Sequence, residues 1–405
     1  MRILHLCDSL NPAGVGGYES YLHYLSHILA SRGNESFIVT QSPSRNSPES
    51  VAQQDCTLFY ISGNLLEARK WEFLSLPDNE RISGASSLFR TDDISCDVEV
   101  LTGQLRNLVR DLCPDVIHAH STYVVFNRVV ERLRQDGTLG KIPVLATIHG
   151  LPKTLILPGG QRTTDYEQLA DCCPFDRITA VSRCVADALH TYLPVRLEGE
   201  IQVLYLGVDL SVFRPRARAK KRWDLAFFGR LEEVKAVDLL PEIISILRFE
   251  LPCLRLVITG EGFYRKKLLD DFNKRDETAM LDYLGVVPIE AIPGLLNGVR
   301  VFLYPSREEA LGLSLIEAMA CGIPVIATNA FGPSEIVSQN HDGLKVNPGD
   351  PTELAQAVLR LLSDSELRSR LGQNARQTAE KRFNLARHAE ALLQLYHGLQ
   401  YAALK

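Results

Sequence analysis

The chain runs twice through the same alternation of short apolar strands and helical stretches, and this doubling constrains its fold more than any other feature. Residues 2–7 read as a short buried strand. Pro12, Gly14, Gly16 and Gly17 mark a loop, and Tyr21, Leu22, Leu25, Ile28 and Leu29 then recur at helical spacing. Arg32-Gly33 ends that helix, and Phe37-Ile38-Val39 reads as the next strand. Strand, glycine loop, helix and strand make one parallel βαβ unit. Further strands read at 116–118, 144–148, 178–181 and 201–205. Residues 41–100 are polar, carry Pro43, Pro48 and Pro77, and read as long excursions from the sheet.

A second alternation follows. Strands read at 225–228, 254–259, 281–284, 301–304 and 325–327, with helices around 237–250, 263–275, 288–297 and 312–321. Residues 352–400 read as helical throughout. Two such runs predict an α/β protein of two Rossmann-like, doubly wound domains facing each other, with ligand in an interdomain cleft at the carboxyl ends of the strands. The boundaries read as an N-terminal domain over 1–205, a linker over 206–222 and a second domain over 223–384. A closing helix over 385–405, apolar at Leu385, Ala389, Leu392, Leu393 and Tyr396, is expected to pack back on the N-terminal domain. A length of 405 residues suits two domains.

Composition narrows the function class. Hydrophobic residues at 45% and charged residues at 23% are ordinary globular values, which exclude a disordered tail, a collagen-like fibre and a simple coiled coil. A net charge of −5 argues against a nucleic-acid partner. No run of 18 apolar residues occurs, and the N-terminal apolar run meets Asp8, too early for a secretory signal. Nine scattered cysteines form no Cys-x-x-Cys pair, so the expectation is a reduced, cytoplasmic protein without a structural metal. Residues 214–222 hold six bases; they read as a solvated linker, or as a patch for anionic lipid giving weak peripheral membrane contact.

Several residues could carry chemistry. The loop Gly14-Val15-Gly16-Gly17-Tyr18-Glu19 opens a helix whose free N–H groups suit an anion. It fails the dinucleotide fingerprint because Glu19 stands where the third glycine belongs, so a plain turn and a phosphate or sugar site both stay open. Arg230 and Lys235 follow a strand and could clamp a diphosphate, or be solvated cations beside Glu232 and Glu233. Gly260 lies in a glycine turn at the carboxyl end of a strand, which reads as a structural turn or as part of the donor-binding site. Glu309 lies in a loop, and Glu317 falls inside an apolar helix, where a carboxylate needs ligand hydroxyls or a core Arg. The amides of Leu311, Gly312 and Leu313 are orphan donors at that helix start. His118, His120 and His149 end or follow strands; each could donate to a hydroxyl or be a satisfied structural group. His118-x-His120 has no companion carboxylate or cysteine at ligand spacing, so no metal is expected.

In this order along nearly the whole chain, these segments resemble the retaining nucleotide-sugar glycosyltransferases of glycosyltransferase family 4, which have the GT-B fold. The resemblance rests on the glycine loop with Glu19, on Pro114–His120, Thr147–Gly150, Gly207-Val208-Asp209 and Phe213-Arg214-Pro215. It rests further on Gly229-Arg230-Leu231 with Lys235, and on the Glu-x7-Glu pair Glu309 and Glu317 followed by Ala318–Val325. It implies that Arg230 and Lys235 neutralise the donor diphosphate, that Glu317 accepts from ribose hydroxyls, and that Glu309 accepts from the donor sugar. It also implies that the Leu311–Leu313 amides meet sugar and phosphate, that the glycines at 16 and 17 approach the β-phosphate, and that the Val287 backbone meets the base. His149 would lie near the sugar, and Glu19, His118 and His120 would be on the acceptor side. This chain has Leu311 where an aromatic is usual, and Ala310 and Ala236 where glycine is usual. No Asp-x-Asp occurs, so the resemblance implies retaining transfer without a metal or other cofactor. The expected donor is a UDP-sugar, with GDP- or ADP-sugars as alternatives, and the acceptor a hydroxyl of a glycan, lipid-linked or small molecule. A GT-B epimerase or phosphorylase and a non-catalytic sugar-nucleotide-binding protein are the competing readings; the failed fingerprint disfavours a dehydrogenase.

Overall fold

The computed structural model describes residues 1–7, 17–41, 49–61, 94–120, 124–156, 162–193 and 201–404. The strands of the first half are β1 (Arg2–Cys7), β2 (Glu35–Gln41), β3 (Ser50–Ala52), β4 (Cys56–Ile61), β5 (Val116–His120) and β6 (Val144–Ile148), then β7 (Thr154–Ile156), β8 (Arg162–Thr164), β9 (Arg177–Ala180) and β10 (Ile201–Val203). Eight of them form one sheet in the order β10-β9-β6-β5-β1-β2-β4-β3, parallel except for β3 on β4. β5 and β6 are buried on both faces along their whole length, as central parallel strands are. β1 lies between β5 and β2, so the strand order reverses there, and His5 falls in register with His118.

The second half contributes β11 (Trp223–Phe228), β12 (Leu256–Thr259), β13 (Leu281–Gly285), β14 (Val299–Tyr304), β15 (Val325–Thr328) and β16 (Gly343–Val346). They form an all-parallel sheet in the order β13-β12-β11-β14-β15-β16, the doubly wound order with its reversal between β11 and β14. Leu225, Phe227, Leu256, Ile258 and Val301 from the sheet pack with Leu240, Ile243, Ile244 and Leu247 from the helix Leu240–Leu247.

By its contacts the chain divides into two compact units. One is Met1–Asn11, Leu25–Leu204 and Ala389–Lys405; the other is Pro12–Tyr24 and Tyr205–His388. The helix Leu385–Leu404 buries Leu385, Ala389, Leu392, Tyr396 and Leu399 along one stripe. Within the first unit, Tyr396 lies 2.6 Å from His118 Nδ1 and Gln400 Nε2 donates to the Asp115 carbonyl.

Three readings of the sequence need correction. The stretch 41–100 is not simply an excursion: β4 pairs in parallel with β2 inside the sheet, and the helix Ile94–Leu112 buries Val98, Leu101, Leu105 and Val109. Residues 62–93 lie outside the described residues. The helix expected at 237–250 is shorter, Leu240–Leu247, preceded by two 3-10 turns; Ala236 in the left-handed region breaks the run and Pro241 fixes the helix start. The stretch 206–222 is no loose tether. Val208 bonds the Phe383 carbonyl and Leu385 N, Asn297 clasps the backbone at Arg214 and Arg216, and Lys221 Nζ donates to the carbonyls of Asn297 and Val299. Arg214, Arg216, Arg218, Lys220 and Arg222 remain exposed. No described helix is long and apolar enough to cross a membrane.

Candidate functional site

In the second unit the strand order reverses between β11 and β14, and ligands of such sheets bind at the carboxyl ends of the strands beside that point. The segment after β11 brings Arg230 and the 3-10 turn Glu233–Lys235; β14 ends on Tyr304 and is followed by the loop carrying Glu309. Arg307 fastens the two together. Its guanidinium donates through Nη1 and Nη2 to the Asp238 carboxylate, 2.7 Å each, and Nη1 also reaches the Glu233 carbonyl at 2.8 Å. The Arg307 amide bonds the Val234 carbonyl. A bidentate fork of this kind fixes direction as well as distance.

That clasp sets Lys235 against Glu309. Lys235 Nζ and Tyr304 OH both donate to Glu309 Oε2. The Lys235 and Glu309 side chains are 13% and 15% exposed, so neither is a solvated surface charge. Burial by itself raises the Glu309 carboxyl, but the Lys235 charge and hydrogen bond, the Tyr304 hydroxyl and Arg230 outweigh it and hold the carboxyl below its ordinary value. Burial and the Glu309 charge raise the Tyr304 phenol, which therefore stays protonated as a donor. Arg230 bonds Glu232 at 2.9 Å with its side chain 42% exposed. The two cations expected to clamp an anion thus share their charge with carboxylates of the same unit.

Glu317 stands apart. It lies in the helix Leu313–Ala320, buried among Leu315, Ile316, Ala318 and Met319. No described residue hydrogen-bonds or ion-pairs with its carboxylate, so the core Arg that would make it structural is absent among the described residues. Desolvation pushes its carboxyl up to about 8. A buried acceptor without a protein partner is costly unless a ligand supplies donors.

The remaining positions divide by backbone geometry. Gly312 caps the helix Leu313–Ala320 at φ 107°, with no side-chain cap, and a Cβ there would sit 3.2 Å from the Tyr304 ring. The first amides of that helix therefore have no capping side chain. Ala310 and Leu311 are buried. Gly260 has φ 124°, and a Cβ would fall 1.9 Å from the Gly229 carbonyl oxygen; its requirement is close backbone packing. Tyr283 OH lies 2.9 Å from both the Gly260 carbonyl and Glu261 Oε1, and Val287 is half-buried. Gly17 opens the helix Gly17–Ser31, and a Cβ there would meet the Leu313 Cβ at 3.1 Å. Gly16 and the side chain of Glu19 lie outside the described residues.

In the first unit, β1, β5 and β6 assemble histidines. His118 is wholly buried, its Nδ1 2.6 Å from Tyr396 OH and its Nε2 2.7 Å from Thr147 Oγ1. Thr147 in turn meets Thr179, whose hydroxyl donates to the Ala146 carbonyl. His120, also buried, bonds His5 Nδ1 through Nε2 at 2.9 Å and His149 Nε2 through Nδ1 at 3.2 Å. His118 and His120 were expected to face an acceptor. Both have their two ring nitrogens engaged by protein groups, so only the half-buried His149 stands at the outer end of the row. His5, His118 and His120 place ring nitrogens within 4.8 Å of one another, and among the described residues no carboxylate or thiol joins that group.

Comparison with known proteins decides the family. The Glycosyltransferase Family 4 model matches residues 15–212, and the Glycosyl transferases group 1 model matches residues 211–378. The chain belongs to glycosyltransferase family 4. It is 25% identical over 404 residues to a protein of Mycobacterium tuberculosis named glycogen synthase, spanning 98% of this chain and 94% of that one. Sucrose-phosphate synthase of Thermosynechococcus elongatus has the same fold, with a TM-score of 0.81 at 21% identity over 99% of both chains. So does the Anabaena protein Alr3699/HepE, solved with UDP-glucose, with a TM-score of 0.71 at 16% identity over 98% of this chain and 100% of that one. The fold is thus of the GT-B type, an α/β fold of two Rossmann-like units.

In this glycosyltransferase the position where the family usually has glycine, Ala236, takes φ 52°, a left-handed conformation that costs a residue with a Cβ about 1–2 kcal/mol. Three site residues escaped sequence reasoning. Tyr304 ends β14 like any buried aromatic, and nothing in the spacing ties it to Glu309. Arg307 lies between two loops distant in sequence. His5 was findable: once β1 and β5 are paired in parallel, it falls opposite His118.

Proposed function

We propose that this glycosyltransferase moves a hexose-type sugar from a nucleoside diphosphate sugar, by preference a UDP-sugar, to a hydroxyl acceptor with retention at the anomeric carbon. The observation that carries the donor is Glu317, a buried residue whose carboxylate has no partner among the described residues, in the same unit as the Lys235–Glu309–Tyr304 cluster. Two ribose hydroxyls supply the donors it lacks. Arg230 and the remaining N–H groups of Lys235 receive the diphosphate, together with the uncapped amides at Leu313. Glu309, held ionised and oriented through Oε2, accepts from a sugar hydroxyl through Oε1. The bound UDP-glucose of the Anabaena neighbour supports the choice of uridine.

In the reaction the anomeric C–O bond to the diphosphate breaks as the acceptor oxygen bonds the same carbon from the leaving-group face. The acceptor proton passes to the departing phosphate oxygen, and the new charge falls on Arg230, Lys235 and the helix N-terminus. Such a step needs no protein nucleophile, so Glu309 positions the sugar. The absence of any Asp-x-Asp in the chain supports transfer without a divalent metal. Acceptor-free hydrolysis of a panel of nucleotide sugars tests the proposal: one uridine donor should be cleaved faster than its guanosine and adenosine counterparts. A chain that cleaves none of them, yet binds a glycan, is a binding protein instead.

A further inference from the structure

The second unit holds a cavity of about 440 Å³, walled by His23, Tyr24, Ser211, Arg214, Arg216 and Glu290 and lined by none of the donor-site residues. Organic ligands usually occupy about 300–1,000 Å³. The cationic side of the cavity is built on a fixed backbone. The Asn297 side chain, buried, accepts from the Arg216 amide at 2.7 Å, and donates to the Arg214 carbonyl at 3.0 Å and the Pro293 carbonyl at 2.8 Å. Pro215 stiffens the chain between the two arginines. A Cβ on Gly294 would lie 3.6 Å from Arg216 Nη1, so that guanidinium rests on the helix Ile292–Asn297.

The charges in the cavity do not cancel one another. Neither Arg214 nor Arg216 has a carboxylate within ion-pair distance among the described residues, and Glu290 has no cation there. Tyr24 is 9% exposed with its ring edge-on to Phe213, yet its hydroxyl hydrogen-bonds no described residue. Burial, and then the charges of Glu317, Glu290 and Asp209, raise that phenol, so it stays a donor. Ser211 Oγ gives its hydrogen to Asp209 and keeps its oxygen as an acceptor. Two guanidiniums offer more donors than the two oxygens of a carboxylate can use, and suit a phosphate. Glu290 repels a bare anion, so the rest of the ligand must bring it donors, as hydroxyls do.

We propose that this cavity is a ligand site separate from the donor site, which takes a small phosphorylated polyol, its phosphate on Arg214 and Arg216 and its hydroxyls on Glu290 and Tyr24. The test is calorimetry on the full-length protein with mannitol phosphate, and with inorganic phosphate and mannitol as its two halves. Mannitol phosphate should bind one to one, roughly tenfold or more tighter than inorganic phosphate, and mannitol should not bind measurably. Arg214→Gln combined with Arg216→Gln, both at exposed side chains, should weaken mannitol phosphate roughly tenfold or more. Glu290→Gln should tighten inorganic phosphate, because a like charge is gone, and shrink the lead of mannitol phosphate over it. Saturating UDP should leave mannitol phosphate bound. Equal affinities for mannitol phosphate and inorganic phosphate overturn the inference, as does undiminished binding in the double arginine variant. Displacement by UDP makes the cavity part of the donor site and overturns its separateness. Capture on vesicles of equal parts phosphatidylglycerol and phosphatidylcholine, without binding of mannitol phosphate, assigns the arginines to a lipid surface and overturns it too. The inference does not rest on the proposed function: if UDP does not bind, that reading fails while the mannitol phosphate titrations still decide the cavity.

Discussion

Lys235 and Glu309, 74 residues apart, form a nearly buried ion pair closed on its far side by the Tyr304 hydroxyl. Removing one partner of such a pair leaves a charge in low dielectric, typically about 3–5 kcal/mol. Lys235→Ala should therefore lower stability by about that amount, discounted for the remaining exposure, and slow donor turnover. With Lys235 gone, burial dominates and the Glu309 carboxyl moves up. In the wild type that carboxyl is depressed, so its stabilisation is complete above its unfolded value of 4.5 and is lost as pH falls through the folded value. Adding Glu309→Gln to Lys235→Ala should recover much of the melting temperature and none of the turnover. Equal melting temperatures in the single and double variants would show that the pair is not coupled.

Glu317 makes the opposite pH prediction. Its folded value of about 8 lies above 4.5, so the folded state holds the extra proton and stability falls as pH rises from about 4.5 towards 8. That gap corresponds to on the order of 5 kcal/mol at most. Glu317→Gln cannot ionise, so its melting temperature should exceed that of the wild type by a margin that grows up to about pH 8 and then levels. A constant difference across that range would mean that the carboxyl titrates normally.

Arg307 holds the Lys235 turn to the Glu309 loop without belonging to either charge pair. Arg307→Ala should cost about 1–3 kcal/mol, because a bidentate pair with Asp238 is lost, and should reduce donor turnover as well. Arg307→Lys keeps the charge and loses the fork, so it should recover part of the stability and little turnover. Thermal melts and donor hydrolysis on the two variants separate charge from geometry.

Ala236 is buried at φ 52° in the same turn. Ala236→Gly removes the left-handed penalty and adds chain entropy to the unfolded state, so stability should change by no more than about 1 kcal/mol, in the favourable direction. A loss above that size would show that the methyl group packs more than it strains.

The doubled αβ alternation was legible because parallel strands buried on both faces, such as β12 and β15, leave short, mostly apolar runs. β4 was missed since its half-buried residues follow neither a two-residue nor a helical period. The donor-side candidates were legible as residues but not as partners. Spacing placed Glu317 inside a helix, while its lack of a partner among the described residues needed three dimensions. Arg230 and Lys235 read alike in sequence; the fold leaves one half exposed and buries the other. The histidines were legible as strand ends, but which ring nitrogen faces which depends on register across three strands.

Nucleotide binding, measured by calorimetry with UDP at pH 7 in buffers of different ionisation enthalpy, tests the role of Glu317. Ribose hydroxyls donate best to an ionised Glu317, so binding should release close to one proton more in the wild type than in Glu317→Gln. Glu317→Gln should also bind UDP more weakly, by about 1–3 kcal/mol, while Glu309→Gln, which acts on the sugar, should bind it nearly as the wild type does. UDP that binds wild type and Glu317→Gln with the same affinity and the same proton count would contradict the assignment of Glu317 to the ribose, and with it the proposed donor site.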